Sequence, residues 1–522
     1  MKKPIPRLDV IFYAALVILS LVGMLALGWS TRFGLGLSND SASYVNGAEN
    51  LRLGHGYTRT SGAGELKAIT HFPPFYSLLI AMLTLPGLNL LQTAHLINLV
   101  LFSLDILLVG CLVYQISQSR LFSLFSALLL ALSDSFLGIY AMLLSEALFI
   151  TLMLALFLAL GQFIHRRSSG WLFTCGVLAG LAYLTRFAGV SLFVTILIFL
   201  LGIAPTIKVY LKHSLVFLVG GFPFVSGWIL SNLRYGNNIG NRVISIHLPT
   251  LHKVFEALKN LLSWAALDDF MNAQRIFGWA LSALSLLLFP ALVAWVARWF
   301  WITKTRKEAI NSGVSLSVGL GLHILVYFAF LLVTISFFDA STTLDDRILS
   351  IIFIPQLVLF SSGLGSLSGI LDNKSKWLRA AFTAVCLTFL IFSGLDGVRE
   401  AEQLGRDGLG FNHSGWKNSQ TIQFVRAMPP AILYSNRPTA IYLLTGKSSY
   451  IVPTAVDPVT TQDRSTYRSD LETMHGQILA GKAILILFQG SNNGEVEENT
   501  AALTQGLELI ADFNEADIYG KP

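Results

Sequence analysis

Charge and cysteine are what this sequence has least of. Charged residues make up 13% of its 522 positions while 54% are apolar, a balance that excludes a soluble globular chain of this size. The three cysteines, Cys111, Cys175 and Cys386, sit inside apolar runs, which excludes a disulfide framework as the organising device. No convincing internal repeat is present, which argues against the repeated halves of many transporters. A small-residue cleavage site is also missing after the basic start with Lys2, Lys3 and Arg7, so the first apolar run reads as a retained anchor. The formal net charge of +6 does not point to nucleic acid, because the basic residues gather in short loops between apolar runs and act there as topology signals.

What is present is a series of apolar segments. A bilayer core of about 30 Å takes roughly 20 apolar residues per helix. Eleven segments are read as spans: 10–30, 93–115, 121–140, 145–164, 171–185, 188–203, 214–233, 276–300, 312–337, 348–371 and 377–395. The boundary at Arg186 separates two short spans and sets the topology of everything after it. With that split and a cytoplasmic N-terminus, fourteen lysines and arginines fall on the cytoplasmic side against eleven on the other, although the outer segments are roughly twice as long.

Three regions then face away from the cytoplasm: 31–91, 234–275 and a tail from about 397. The first carries two amphipathic or apolar stretches, 41–53 and 75–85, that read as interfacial helices, the second preceded by Pro73-Pro74. The tail alternates short apolar runs with polar turns. Strands are expected near 431–434, 450–452, 483–488 and 516–519, and helices near 438–445, 465–480 and 498–511. The expected architecture is an α-helical polytopic membrane domain, 1–396, with about eleven transmembrane helices, followed by a small extracytoplasmic α/β domain, 397–522.

A few charged residues stand where charge is costly. Asp40, in Ser38-Asn39-Asp40-Ser41-Ala42-Ser43-Tyr44, opens the first outer loop. Capping of the following helix by Asp40 or Ser38 is one reading of it; a carboxylate held for chemistry at the membrane surface is the other. Glu146 heads the fourth span in an apolar neighbourhood, where an ionisable group needs a cavity or a partner. Arg186 is isolated between apolar spans and reads either as a snorkelling anchor or as a phosphate-gripping guanidinium. His71, in Thr70-His71-Phe72-Pro73-Pro74, is a turn histidine or a donor to an anion. Arg347 ends a short outer loop, with Asp345 and Asp346 beside it as its simplest partners. All five fall on one membrane face, and two carboxylates with several cations there suit an anionic, membrane-tethered substrate such as a lipid phosphate.

The order of these elements resembles the GT-C fold glycosyltransferases: an aspartate after the first span, a His-Phe-Pro element later in the loop, an acid heading the fourth span and a basic residue after the fifth. The protein O-mannosyltransferase-like group, which includes the lipid A aminoarabinose transferase, is the most similar. Asn232-Leu233-Arg234-Tyr235-Gly236 at the end of the seventh span fits the same pattern. The resemblance covers 1–235 by motif and 236–395 by hydropathy. It implies transfer of one sugar from a polyprenyl-phosphate donor to a lipid, glycan or protein acceptor outside the cytoplasm, with inversion at the anomeric carbon. Asp40 would be the general base, and His71, Arg186 and Arg347 would meet the leaving phosphate. Glu146 would orient a cation or an acceptor hydroxyl, while Tyr44 and Arg234 would join substrate binding. No cofactor is implied outright, and a divalent metal held by Glu146 stays open. Many relatives carry Asp-Glu where this chain has Asp40-Ser41, and a lysine where it has His71, so acceptor choice and metal use are where it is expected to differ. The alternative, a transporter or flippase of a lipid-linked anion, predicts charge near span centres instead of at one face.

Overall fold

The computed structural model describes residues 7–62, 64–236, 246, 250–265, 274–305, 311–338, 342–372, 374–456, 462–489 and 495–522. Lys2, Lys3, Arg306, Lys307 and much of the expected outer loop 234–275 lie outside them.

The chain forms a helical bundle capped at one end by loops and a small sheet. Helix α1 (Arg7–Ser30) is followed by α2 (Asn39–Arg52), the hairpin β1 (Thr58–Ser61) and β2 (Glu65–Ala68), and α3 (Phe75–Leu83). Then come α4 (Leu90–Ser117), α5 (Arg120–Leu132), α6 (Asp134–Tyr140), α7 (Glu146–Arg166), α8 (Ser169–Thr185) and α9 (Val190–Ile203). The bundle is completed by α10 (Ile207–Gly236), α11 (Leu251–Asn260), α12 (Gln274–Thr305), α13 (Ser312–Phe337), α14 (Asp346–Leu371) and α15 (Lys376–Asp407). Among the described residues, eight helices are long and apolar enough to cross a membrane, and α5 with α6 makes a ninth if that bent pair is one span. The other two of the eleven expected spans are the shorter apolar helices on either side of Arg186. The chain is a multi-pass membrane protein.

Local chemistry explains the joints. Asn89 accepts from Gln92 N at 2.8 Å while Gln92 Oε1 accepts from Asn89 N, a reciprocal cap that starts α4. The tight reversals after α4 and α7 place Gln118 and Arg167 in the left-handed region, with φ of 56° and 53°. The expected span 121–140 is broken at Ser133, where its two helices meet at 62°. Glycines let α8 and α10 meet backbone to backbone, since a Cβ on Gly176 would lie 2.0 Å from the Phe217 carbonyl oxygen. At Arg186 the chain leaves α8 in extended conformation, makes one tight turn over Phe187–Gly189 and re-enters helix, so two helices and not one bent helix occupy that stretch.

Helix α15 runs on to Asp407 instead of ending near 395, because the polar stretch that follows keeps Ala401, Leu404 and Gly405 on one buried face. Beyond it stand α16 (Ser414–Lys417), α17 (Gln420–Ala427), β3 (Ile432–Ser435), α18 (Pro438–Thr445), β4 (Tyr450–Ile451), α19 (Tyr467–Leu479), β5 (Ala483–Phe488), α20 (Glu495–Thr504), β6 (Glu508–Phe513) and β7 (Ala516–Gly520). The sheet order is β4-β3-β5-β7-β6, with β3 parallel to both β4 and β5 and the last three strands antiparallel. One expectation fails here: the helix expected over 498–511 stops at Thr504, and Glu508–Phe513 is an edge strand. Its Leu509 and Ile510 are both exposed, so no alternation marks it as a strand in the sequence.

The tail is stitched to the start of the first loop. Gly410 bridges Leu37, Phe411 N donates to Leu37 O at 2.8 Å, and Asn412 Nδ2 donates to Leu35 O at 2.9 Å. A Cβ at Gly410, whose φ is +57°, would lie 2.1 Å from the Leu37 carbonyl oxygen. Further out, Tyr442 donates to Glu49 on α2 at 2.6 Å and Tyr450 pairs with Glu65 at 3.2 Å.

Candidate active site

Four charged residues from distant parts of the chain meet at the capped end of the bundle. Glu146 is the first residue of α7, Arg186 closes α8, Arg347 lies in the first turn of α14, and Asp40 lies in the first turn of α2. Arg186 Nη1 stands 2.7 Å from Glu146 Oε1. Arg347 Nε donates to the same oxygen at 2.6 Å, and its Nη2 donates to Asp40 Oδ2. The order of contact is therefore Arg186, Glu146, Arg347, Asp40, with signs alternating.

Exposure divides that order into a buried half and a partly exposed half. The Glu146 side chain is sealed at 0% and Arg186 is at 15%, whereas Asp40 and Arg347 reach 26% and 34%. A carboxylate buried this fully is tolerable only when cations compensate it, and here two do. Asp40 is the carboxylate that a ligand can reach.

Two neighbours not singled out by the sequence hold the group in place. Ser145 Oγ lies 2.7 Å from the Tyr44 hydroxyl and accepts from Arg186 Nη1 at 3.3 Å. Tyr44 is buried, and burial pushes its phenol above the ordinary range, so it enters these contacts as a neutral hydroxyl. Asn98 Nδ2 donates to the carbonyls of Tyr140 and Met142, at 3.0 and 2.8 Å, and Asn98 Oδ1 accepts from Tyr76 at 3.0 Å; this fixes the loop that presents Ser145 and Glu146. Ser145 was legible only as a polar residue beside Glu146 in an apolar run, and Asn98 only as a lone amide within a span.

The first turn of α2 separates the two readings of Asp40. The serines close the helix start: Ser41 Oγ accepts from Ser38 N at 2.9 Å and donates to Leu143 O at 2.8 Å. Asp40 is left free of capping duty. Ser41, at 0% exposure, is a structural tie between α2 and the Glu146 loop. Arg347 likewise departs from its simplest reading. Asp345 caps α14 by accepting from Ile348 N, Asp346 accepts from Ser263 at 2.6 Å, and the guanidinium turns to Asp40 and Glu146 instead.

The remaining candidates lie further out. His71 is half-buried and meets the cluster through rings: it is edge-on to Phe72 at 5.3 Å, and Phe72 is edge-on to Tyr44 at 5.3 Å. Arg234 stands apart, exposed at the end of α10 over the Tyr235 ring. Within its stretch the residue turned inward is Asn232, buried and donating to Thr70 O at 3.4 Å beside His71. The donor set does not fit a divalent metal, since both guanidinium groups already occupy Glu146 Oε1 and would repel a cation there. Among the described residues no group of three or more histidine, cysteine, aspartate or glutamate side chains could hold one.

Residues 71–229 match the family described as dolichyl-phosphate-mannose-protein mannosyltransferase. No curated protein sequence matches the chain. Among solved structures it is similar to ArnT from Cupriavidus metallidurans bound to undecaprenyl phosphate, with a TM-score of 0.59 at 13% identity over 96% of this chain and 97% of that one. It is also similar to the archaeal oligosaccharyltransferase AglB from Archaeoglobus fulgidus in complex with an inhibitory peptide and a dolichol-phosphate, with a TM-score of 0.55 at 13% identity over 94% of this chain and 70% of that one. The chain has the GT-C fold of these proteins, and the stretch matched by the family model includes His71, Glu146 and Arg186.

Proposed function

We propose that the protein transfers a single sugar from a polyprenyl-phosphate donor to a hydroxyl acceptor at the extracytoplasmic face, with its N-terminus cytoplasmic. The observation that carries this reading is the cluster: a reachable carboxylate joined through Arg347 to a sealed one that Arg186 also meets, at the end of a membrane bundle. The family match and the lipid phosphates named for ArnT and AglB support the choice of donor.

Each residue then has a physical task. Arg347 spends Nε on Glu146 and Nη2 on Asp40, which leaves Nη1 to donate to a donor phosphate. Among the described residues Arg186 is hydrogen-bonded or ion-paired through Nη1, which leaves its other donors for the same task. Glu146 keeps both guanidinium groups in place. His71 adds a further hydrogen-bond donor at the rim.

Asp40 takes the proton of the attacking hydroxyl as the new bond to the anomeric carbon forms and the bond to the phosphate oxygen breaks. The leaving phosphate keeps the bonding electron pair, and the fixed arginines stabilise that charge without a strong general acid. One carboxylate opposite the leaving group makes this a single displacement with inversion. A flippase would bind the same lipid yet need no base.

Purified protein incubated with labelled polyprenyl-phosphate sugars and cell-envelope fractions tests the reading. Transfer by the parent and its loss in Asp40→Asn are expected; an Asp40→Asn protein as active as the parent, or no transfer with any pairing, would end it.

A further inference from the structure

A second polar chamber lies behind the wall of the reaction cluster. It has a volume of about 330 Å³, at the small end of ligand pockets, and lies between the end of α1, the start of α4 and the beginning of the tail. Leu37 and Leu143 line it. These residues belong to the wall itself, where Gly36 N donates to Ala141 O at 2.7 Å and Leu143 N to Gly36 O at 2.9 Å. Asp40, Ser145 and Glu146 do not line this chamber.

Its lining is rich in hydrogen-bond donors, and it has no carboxylate. Arg32 contributes a guanidinium whose Nε is fixed by the Gly405 carbonyl. Asn89 and Gln92 use their oxygens in the cap of α4, which leaves both amide NH2 groups able to donate. His95 and Asn412 complete the polar lining. A guanidinium among neutral donors selects an anion, and its planar fork suits a phosphate.

The surroundings say what carries that phosphate. Gln92, Leu96 and Val100 succeed one another at four-residue spacing along one face of α4, and Leu96 and Val100 are exposed. On α1, which packs against α4, Leu25 and Trp29 are likewise exposed below Arg32. An apolar stripe thus descends from the mouth of the chamber along two membrane-spanning helices. We propose that this chamber is a second lipid site, binding the phosphate headgroup of an anionic membrane lipid whose chains lie along Trp29, Leu96 and Val100.

The site is testable without any assay of transfer. Full-length protein in detergent micelles is titrated with phosphatidic acid, phosphatidylcholine and inorganic phosphate, using the parent, Arg32→Gln, Gln92→Glu and Arg186→Gln. Glutamate serves as well as glutamine at the third position of a helix cap, so Gln92→Glu keeps the start of α4 while placing a negative charge at the mouth. The parent is expected to prefer phosphatidic acid over phosphatidylcholine. Arg32→Gln and Gln92→Glu should each weaken phosphatidic acid about tenfold or more, the loss of one charge-assisted hydrogen bond, while Arg186→Gln leaves it unchanged. Equal binding of phosphatidic acid by the parent and both chamber variants would overturn the proposal. So would loss in Arg186→Gln alone, which would seat the lipid at the reaction cluster. Inorganic phosphate bound as tightly as phosphatidic acid would overturn the lipid assignment.

Discussion

The bundle carries arginine–carboxylate contacts at both ends, and they differ in everything but chemistry. At one end Arg120 meets Asp9 through Nε at 3.2 Å and Nη2 at 2.5 Å, with the guanidinium exposed and the carboxylate partly exposed. At the other, two arginines converge on the sealed Glu146, and one of them continues to Asp40. The first contact ties α1 to α5 and exchanges readily with water. In the second, Glu146 is sealed from water, so it depends on both guanidinium groups and removal of either leaves its charge undercompensated. Burial, not the type of pair, decides which arginine–acid contact is committed to a task.

That contrast can be broken in order of effect. The largest is expected from Asp40→Asn, which should lower the transfer rate by roughly 10²–10⁴-fold, the range of a lost general base, while the unfolding midpoint in detergent stays near that of the parent. Next is Glu146→Gln. It leaves two guanidinium groups facing each other in a buried site and should destabilise the protein by about 3–5 kcal/mol, read by thermal unfolding. Arg186→Ala should raise the KM for the polyprenyl-phosphate donor about tenfold with little change for the acceptor, and an equal rise in both would remove Arg186 from the phosphate role. Asp9→Asn, at the open end, should change neither activity nor unfolding midpoint measurably.

Glu515 sharpens the same comparison without an arginine. Burial raises its pKa, but hydrogen bonds from Ser419 and from the Thr421 backbone at the start of α17 outweigh that and hold it below the ordinary glutamate range. Because the folded value is the lower one, its contribution is present above the titration of an unfolded glutamate, near pH 4.3, and fades as the pH falls through the folded value. Thermal unfolding scanned downward from neutral pH should show this acid-side loss in the parent and a flatter profile in Glu515→Gln.

Much of this was legible in the sequence, and the failures have physical causes. Hydropathy placed the spans because a helix in a bilayer must be apolar along its whole length. Glu146 and Arg186 were visible because charge inside such a run demands an explanation. That they touch, and that Arg347 passes over its neighbouring aspartates to join them, is set by packing across some two hundred positions and leaves no local trace. Ser41 was expected to mark where this chain diverges from its relatives; its Oγ also accepts from Ser38 N in the cap of α2, where Ser38 is the N-cap residue, and donates to Leu143 O. Arg234 came forward with a familiar stretch in which the buried residue is Asn232. Strand β6 was hidden because an exposed edge strand needs no alternation.

The pairing of Gly410 and Phe411 with Leu37 makes the tail something other than an appendage. Leu37 is bound on one side by the tail, and its neighbour Gly36 by the loop that leads into Glu146, so three chain segments close one layer three residues ahead of Asp40. A chain cut after α15 would leave the entrance to α2 without its outer partner. An exchange of tails between relatives would have to carry the 33–37 segment with it, because the two are hydrogen-bonded into one layer.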